Sequence, residues 1–327
     1  MAHLVVAGGA GYIGSHTLRA LLRAGHTAVV LDDLRAGRES FVQGAPLVKA
    51  GAGDRAAVTR LFERYGPFDG VLHFAASLQV AESVKDPLAY YRNNVVASTV
   101  LIEEALRHGV RAFVLSSTAA VYGHPPRQPI PEDAPLAPLS PYGATKMMVE
   151  RILADVERAH GLRWAALRYF NASGADPEGG LGECHDPETH LIPLALEAAA
   201  GLRPRLQLFG TDYPTRDGTC VRDYVHVTDL ATAHALSVES LLAGGRSGPY
   251  NLGTGSGTTN REVLDAVARV TGRSVPADEA PRRPGDPAAL VADATRFRRD
   301  LGWEPRHSDL DTIVRTAWAW LRGWKGV

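Results

Sequence analysis

The chain of 327 residues is short of lysine, short of cysteine and almost without net charge. Only Lys49, Lys85, Lys146 and Lys325 are lysines among 35 basic residues. Two cysteines, Cys184 and Cys220, cannot carry a disulfide framework, which points to a reducing, cytoplasmic setting. A formal charge of −1 leaves no basic surface for nucleic acid or membrane. No stretch approaches the roughly 20 apolar residues that a membrane span needs. Leu4-Val5-Val6-Ala7 is too short for a secretion signal and enters glycine at once. What is there suits a globule with a real core: 45% hydrophobic and 22% charged residues.

The first half alternates two patterns. Strands are predicted at Leu4 to Ala7, Ala28 to Leu31, Leu47 to Lys49, Val71 to Ala75, Ala112 to Ser116 and Trp164 to Tyr169. Helices are predicted at Ile13 to Ala24 and near 54–65, 88–108 and 142–160. Near-continuous apolar strands between helices make a parallel sheet covered on both faces, with ligands at its carboxyl edge. After residue 170 the texture changes. Asn171 to Pro187 reads as loop. Short helices follow at Leu191 to Ala200, at Thr228 to Leu242 with Thr228 as cap, and at Arg261 to Thr271 behind Thr259 and Asn260. The expected division is 1–170 for the sheet domain and 171–327 for a smaller α/β substrate lobe, with some segments returning to the first domain.

Gly9-Ala10-Gly11-Tyr12-Ile13-Gly14 matches G-x-G-x-x-G between a predicted strand and helix. Glycine allows the tight turn and close approach of a pyrophosphate, and the helix start supplies amide hydrogens. This makes the fold class a Rossmann-type doubly wound α/β sheet. Asp32 closes the second strand, where a carboxylate takes the ribose hydroxyls and repels a 2′-phosphate, so NAD is expected over NADP. Asp33 acts in the same sense and Arg35 against it. A second glycine cluster, Gly253 to Gly257, reads as a loop and helix entry.

Tyr142 and Lys146 are four apart on a helix opened by Ser140 and Pro141, so they share a face. A free phenol near pKa 10 is a poor base. A nearby ammonium and a positive nicotinamide favour phenolate, which can take a proton from a substrate hydroxyl. Thr118, at the end of the fifth strand, is expected to hydrogen-bond the same oxygen. Cys184, His185 and His190 fit no closed zinc spacing, so no metal is expected. Trp318, Trp320 and Trp324 are expected to serve helix packing.

These residues together resemble the extended short-chain dehydrogenase/reductase family, in its UDP-sugar 4-epimerase branch. The likeness runs from Leu4 to about Trp320. It is carried by Gly8 to His16, His73-Phe74-Ala75-Ala76, Tyr90 to Val95, Ser116 to Gly123, Ser140 to Gly143, Leu167 to Asn171, Asp212 to Thr215 and Val221 to Val227. It implies cofactor contacts at Gly8, Gly11, Tyr12, Ile13, Gly14, Asp32, Phe74, Ala75, Ala76, Asn94, Tyr142, Lys146 and Tyr169. It implies a UDP-hexose substrate held by Thr118, Tyr142, Asn171, His190, Leu191, Leu206, Gln207, Phe209, Arg222, Arg283 and Asp286. Of these, Asn171, Arg222 and Arg283 fall at the diphosphate, Leu206 to Phe209 along the uracil, and Asp286 near the uridine ribose. The implied reaction interconverts UDP-galactose and UDP-glucose by transient oxidation at C4, in a homodimer paired through helices 88–108 and 142–160. Related dehydratases carry Asp and Glu where this chain has Ala119 and Ala120, which disfavours elimination. The chain departs from its relatives at Gly51 or Ala52 (an adenine-contacting aspartate), Leu78 (lysine) and His190 (asparagine), while Leu290 bears on room for an N-acetyl group. Alternatives are a 4-epimerase of another UDP sugar (N-acetylhexosamine, glucuronate or pentose) and a non-catalytic NAD-binding sensor, against which Thr118, Tyr142 and Lys146 speak.

Overall fold

Leu4, Val5, Val6 and Ala7 are all fully buried, as a strand covered on both faces requires. The computed structural model describes residues 1–283 and 285–327. Its first half runs β1 (His3–Ala7), α1 (Tyr12–Arg23), β2 (Thr27–Asp32), β3 (Leu47–Lys49), α2 (Arg55–Tyr65), β4 (Gly70–His73), α3 (Val80–Lys85), α4 (Pro87–Tyr90), α5 (Ala97–Arg107), β5 (Ala112–Thr118), α6 (Pro141–His160) and β6 (Arg163–Tyr169). Then come β7 (Asn171–Ser173), α7 (Leu191–Ala200), β8 (Leu206–Phe209), β9 (Val221–Arg222), β10 (Tyr224–His226), α8 (Val227–Leu242), β11 (Gly248–Leu252), β12 (Thr258–Thr259), α9 (Asn260–Thr271), β13 (Ala277–Ala280), β14 (Ala289–Leu290), α10 (Thr295–Leu301) and α11 (Leu310–Lys325).

Seven parallel strands form the main sheet in the order β11-β6-β5-β4-β1-β2-β3. The strand-pattern period of two sorts its residues. Leu4, Val6, Val30, Leu72 and Val114 pack with Leu18, Leu21 and Leu230 of α1 and α8. Val5, Val29, Val71 and Phe113 pack with Leu61, Leu101 and Val149 of α2, α5 and α6. Each such side chain, fully buried, contributes about 1.5–3 kcal/mol. The order reverses between β1 and β4, so the loops leaving them diverge and open a crevice at the carboxyl edge.

The structure differs from the sequence reading in a few elements. Helix 88–108 is broken: a π-helical stretch, Tyr91–Val96, joins α4 to α5. Segment 171–187 is not wholly loop, since β7 pairs in parallel with β10. Thr228 does not cap α8; His226 does, its ring nitrogen accepting from the Thr228 amide at 3.1 Å. Strand β11 carries no apolar run because it begins Gly248-Pro249, which an edge strand tolerates. It and α8 return the chain to the main sheet. Thr259 does cap α9, in a reciprocal box with Glu262.

The second lobe is built on α7, α9 and α11, whose Ile192, Leu196, Val263, Val267, Ile313 and Trp318 form one cluster with Leu206. Trp318 thus packs as expected, while Trp320 and Trp324 stack at 5.4 Å. Among the described residues, no helix is long and apolar enough to cross a membrane.

Candidate active site

A cavity of about 1020 Å³ lies over the carboxyl ends of β1, β4, β5 and β6. Its first wall is the glycine turn. Gly8 has φ +79°, and a Cβ there would stand 2.5 Å from the Ala75 nitrogen. A Cβ at Gly14 would stand 2.1 Å from the Gly8 carbonyl oxygen, so only glycine lets the two layers touch. Helix α1 follows Gly11 without a side-chain cap and without an acid in its first turn, leaving its amides for an anion. Ile13, Phe74, Ala75 and Ala76 line the same wall. Asp32 is buried at its far end and accepts the Ala10 and Leu34 amides, each at 2.9 Å. Burial raises its carboxyl pKa, with those two bonds acting against the shift. Gly51, Ala52 and the half-exposed Leu78 line the cavity, so its wall there is apolar.

Two expected cofactor residues also tie the cavity's walls to their surroundings, Tyr12 from the lining itself. The Tyr12 hydroxyl donates to the Gly174 carbonyl at 2.6 Å, which ties the glycine turn to the second lobe. Asn94 is buried behind the wall. It holds Ser77 through both amide ends (2.8 and 3.0 Å) and donates to Thr145 at 3.1 Å. Its neighbours Arg92 and Asn93, on the π-helical stretch, line the cavity instead.

The second wall holds Thr118, Tyr142, Lys146 and Tyr169. Ser140 caps α6 by accepting the Gly143 amide, and Pro141 takes the first helical position. Tyr142 and Lys146 then face the end of β5. Lys146 donates to the Ser116 carbonyl at 2.8 Å; burial lowers its pKa to about 8, with Glu150 opposing. Burial raises the Tyr142 phenol, and the neighbouring Thr118 hydroxyl acts against that rise. The protein's own groups alone therefore do not acidify the phenol, because burial outweighs them. Tyr169 hydrogen-bonds Ser116. Beneath lies a buried network in which Glu150 accepts from Arg168 at 3.0 Å and from Ser117 at 2.5 Å.

The third wall comes from the second lobe. Asn171, His190 and Arg222 line the cavity with Leu290. Arg222 pairs with Asp286 at 2.5 Å, bringing together two expected substrate residues. The Arg283 guanidinium lies 4.1 Å over the Phe209 ring. Leu206 is core, as is Leu208, so Gln207 and Phe209 are the outward side chains of that strand. Leu191 is the first residue of α7 and packs against the lobe's core. Cys184 turns away and accepts from Arg38 at 3.1 Å. Glu183 and His185, not singled out as binding residues from the sequence, line the cavity beside His190. Their signal was the repeat Glu-x-His at 183–185 and 188–190.

The NAD dependent epimerase/dehydratase family model matches residues 4–253. The chain belongs to this family. It is 52% identical over 320 residues to a UDP-glucose 4-epimerase of Azospirillum brasilense, covering 98% of this chain and 92% of the relative. Among solved structures it is similar to the UDP-glucose 4-epimerase of Brucella ovis in complex with NAD (50% identity, 98% of both chains, TM-score 0.95). It is also similar to that of Stenotrophomonas maltophila with NAD and formylated UDP-arabinopyranose (41% identity, 100% and 99% of the chains, TM-score 0.96). Ala119 and Ala120, directly after Thr118, both line the cavity.

Proposed function

We propose that the protein interconverts UDP-galactose and UDP-glucose through a transient 4-keto sugar. The observation that carries this reading is the shared cavity of Thr118, Tyr142 and Lys146 with the glycine turn, walled by Ala119 and Ala120 where elimination would need acids. Its volume, about 1020 Å³, is at the top of the usual range for one small ligand and suits a dinucleotide with a nucleotide sugar beside it.

The glycine turn fits a pyrophosphate and Asp32 a ribose diol, so both ends of NAD have partners in this chain. NAD, when bound, supplies the hydride acceptor for C4 and a positive ring that lowers the Tyr142 phenol. Tyr142 takes the C4 hydroxyl proton and gives one back after the keto sugar has turned. Thr118 holds the same oxygen, and Lys146 adds its charge from behind. Asn171, Arg222 and Arg283 hold the diphosphate, Gln207 and Phe209 the uracil, and Asp286 the uridine ribose. The anchored diphosphate lets the sugar rotate without leaving.

A homodimer is part of the proposal. Val84, Leu88, Val96 and Met148 expose apolar side chains on α3, α4, the π-helical stretch and α6, where two such helix pairs can meet. Two free thiols support a reducing, cytoplasmic location. The test is incubation with UDP-galactose and NAD, followed by NMR for UDP-glucose; absence of turnover sinks the enzyme reading. A panel of UDP-pentose, UDP-glucuronate and UDP-N-acetylhexosamine then ranks the sugars against Leu290, which lines the pocket.

A further inference from the structure

Between β7 and α7, a loop of this chain gathers Glu183, His185, Glu188 and His190. One donor atom of each lies within 4.8 Å of the donors of the other three. The carboxylates are nearly buried, with 7% and 9% side-chain exposure for Glu183 and Glu188. We propose that these four side chains bind one divalent transition-metal cation of the zinc type.

The chemistry of the donors selects the ion. Two imidazoles with two carboxylates suit zinc and its transition-metal neighbours, whereas magnesium and calcium take oxygen ligands. Bonds of about 2.1 Å on a tetrahedron set donors about 3.4 Å apart. The donors here lie within 4.8 Å of one another, so binding would draw the widest pair together by no more than about 1.4 Å. The present contacts are already close: Glu183 to His185 at 2.9 Å, Glu183 to His190 at 2.8 Å, and Glu188 to His190 at 2.9 Å. A cation would replace the protons that these pairs share.

The loop is held in place independently of any ion. Trp320 donates to the Glu183 carbonyl at 2.7 Å. Gly182 packs on the same indole, and a Cβ there would approach it to 2.3 Å. Glu188 accepts the Thr189 and His190 amides at 2.7 and 2.8 Å. Cys184 lies between two of the ligands in sequence but faces Arg38, so the set is nitrogen and oxygen without thiolate. Glu183, His185 and His190 line the main cavity, so the ion would be open to an anionic ligand there. That the anion is the sugar's diphosphate rests on the function proposed above.

The test uses the full chain, stripped with chelator and titrated with Co²⁺. The expected result is one Co²⁺ per chain with the visible absorption of a tetrahedral site, displaced by Zn²⁺. His185→Ala and Glu183→Gln should each weaken binding by at least about 100-fold, since loss of even an outer-shell partner costs about 10- to 100-fold, while Cys184→Ser should leave it unchanged. Lack of saturable binding, or equal binding by the His185→Ala variant, overturns the site. X-ray absorption on zinc-loaded wild type needs no variant: two imidazole ligands are expected, and none overturns it. UDP-galactose turnover by protein that binds no metal would sink this site and leave the proposed function standing. Metal binding without turnover would do the reverse.

Discussion

The second and third walls of the cavity are held by different means. On the sheet side, Thr118, Tyr142 and Lys146 sit at the end of a central strand and the start of a capped helix, fixed by regular backbone and by the Ser116 carbonyl. On the lobe side, Arg222 and His190 are held by other side chains: Asp286, and Glu183 with Glu188. The sheet wall is preorganised before any ligand arrives, which is what proton transfer needs. The charged groups of the lobe wall, Arg222 and His190, are already paired, so on the proposed reading the substrate's diphosphate must exchange partners with them. Changes on the sheet wall should therefore act on kcat, and changes on the lobe wall on KM.

The largest effect expected is at Tyr142. Tyr142→Phe keeps the ring and removes the proton carrier, so kcat for UDP-galactose should fall by at least about 100-fold. KM should stay within about threefold, because the hydroxyl is not part of the diphosphate anchor. A fall in kcat/KM that came through KM would erase the distinction between the walls.

Acid should act on the sheet side next. His234 is fully buried against Phe74 and Tyr169, and burial lowers its pKa to about 4, while His73 falls to about 3 by burial and the Lys146 charge. The unfolded chain takes up these protons near pH 6.5, before the folded protein does. Stability should therefore fall as pH drops from about 6.5 towards 4, by up to an order of 3 kcal/mol for His234 at about 1.36 kcal/mol per pKa unit. Urea unfolding at a series of pH values measures this. His234→Gln should flatten the slope, and an unchanged slope would show that other groups govern acid stability.

The same contrast explains what could be read from the chain. Gly8 to Gly14, Asp32, Thr118, Tyr142 and Lys146 were legible because strand and helix periodicity fixes both spacing and direction. The pairing of Arg222 with Asp286 was not, since 64 residues separate them and short strands bring them together. His185 and His190, set beside Cys184, fit no closed zinc spacing, whereas the fold brings them to Glu183 and Glu188 and turns Cys184 to Arg38. Asn94 was legible as a motif residue, but its work of holding Ser77 and Thr145 depends on the π-helical stretch, which propensity does not signal. Strand β11 was hidden by Gly248 and Pro249 at a sheet edge.

Arg222→Ala addresses the lobe wall directly. A hydrogen bond to a charged group is worth about 1.5–3 kcal/mol, so KM should rise by roughly 10- to 100-fold with kcat little altered. Loss of Arg222 also leaves the Asp286 carboxylate without its arginine partner, which adds a second cost. The Asp286→Ala single variant and the double variant complete a cycle that separates the two contributions. A drop in kcat as large as that of Tyr142→Phe would mean that the lobe wall also positions the reacting carbon.

The smallest effect separates shape from charge on that same wall. Thr259 pairs with Val221 and Thr258 with Arg222, so β12 supports the strand that carries the arginine. Thr259 also caps α9, accepting the Glu262 amide at 3.1 Å and donating to Asp217 at 2.5 Å. Thr259→Ala removes the cap but keeps the backbone pairing, because both strand bonds come from main-chain groups. A loss of about 1 kcal/mol in stability is expected, the usual scale for a lost cap. KM should stay within about twofold, since the Arg222–Asp286 pair remains and the strand register is unchanged. A rise in KM comparable with that of Arg222→Ala would reverse the order of causes: the helix cap, and not the charge pair, would be holding the arginine at the diphosphate.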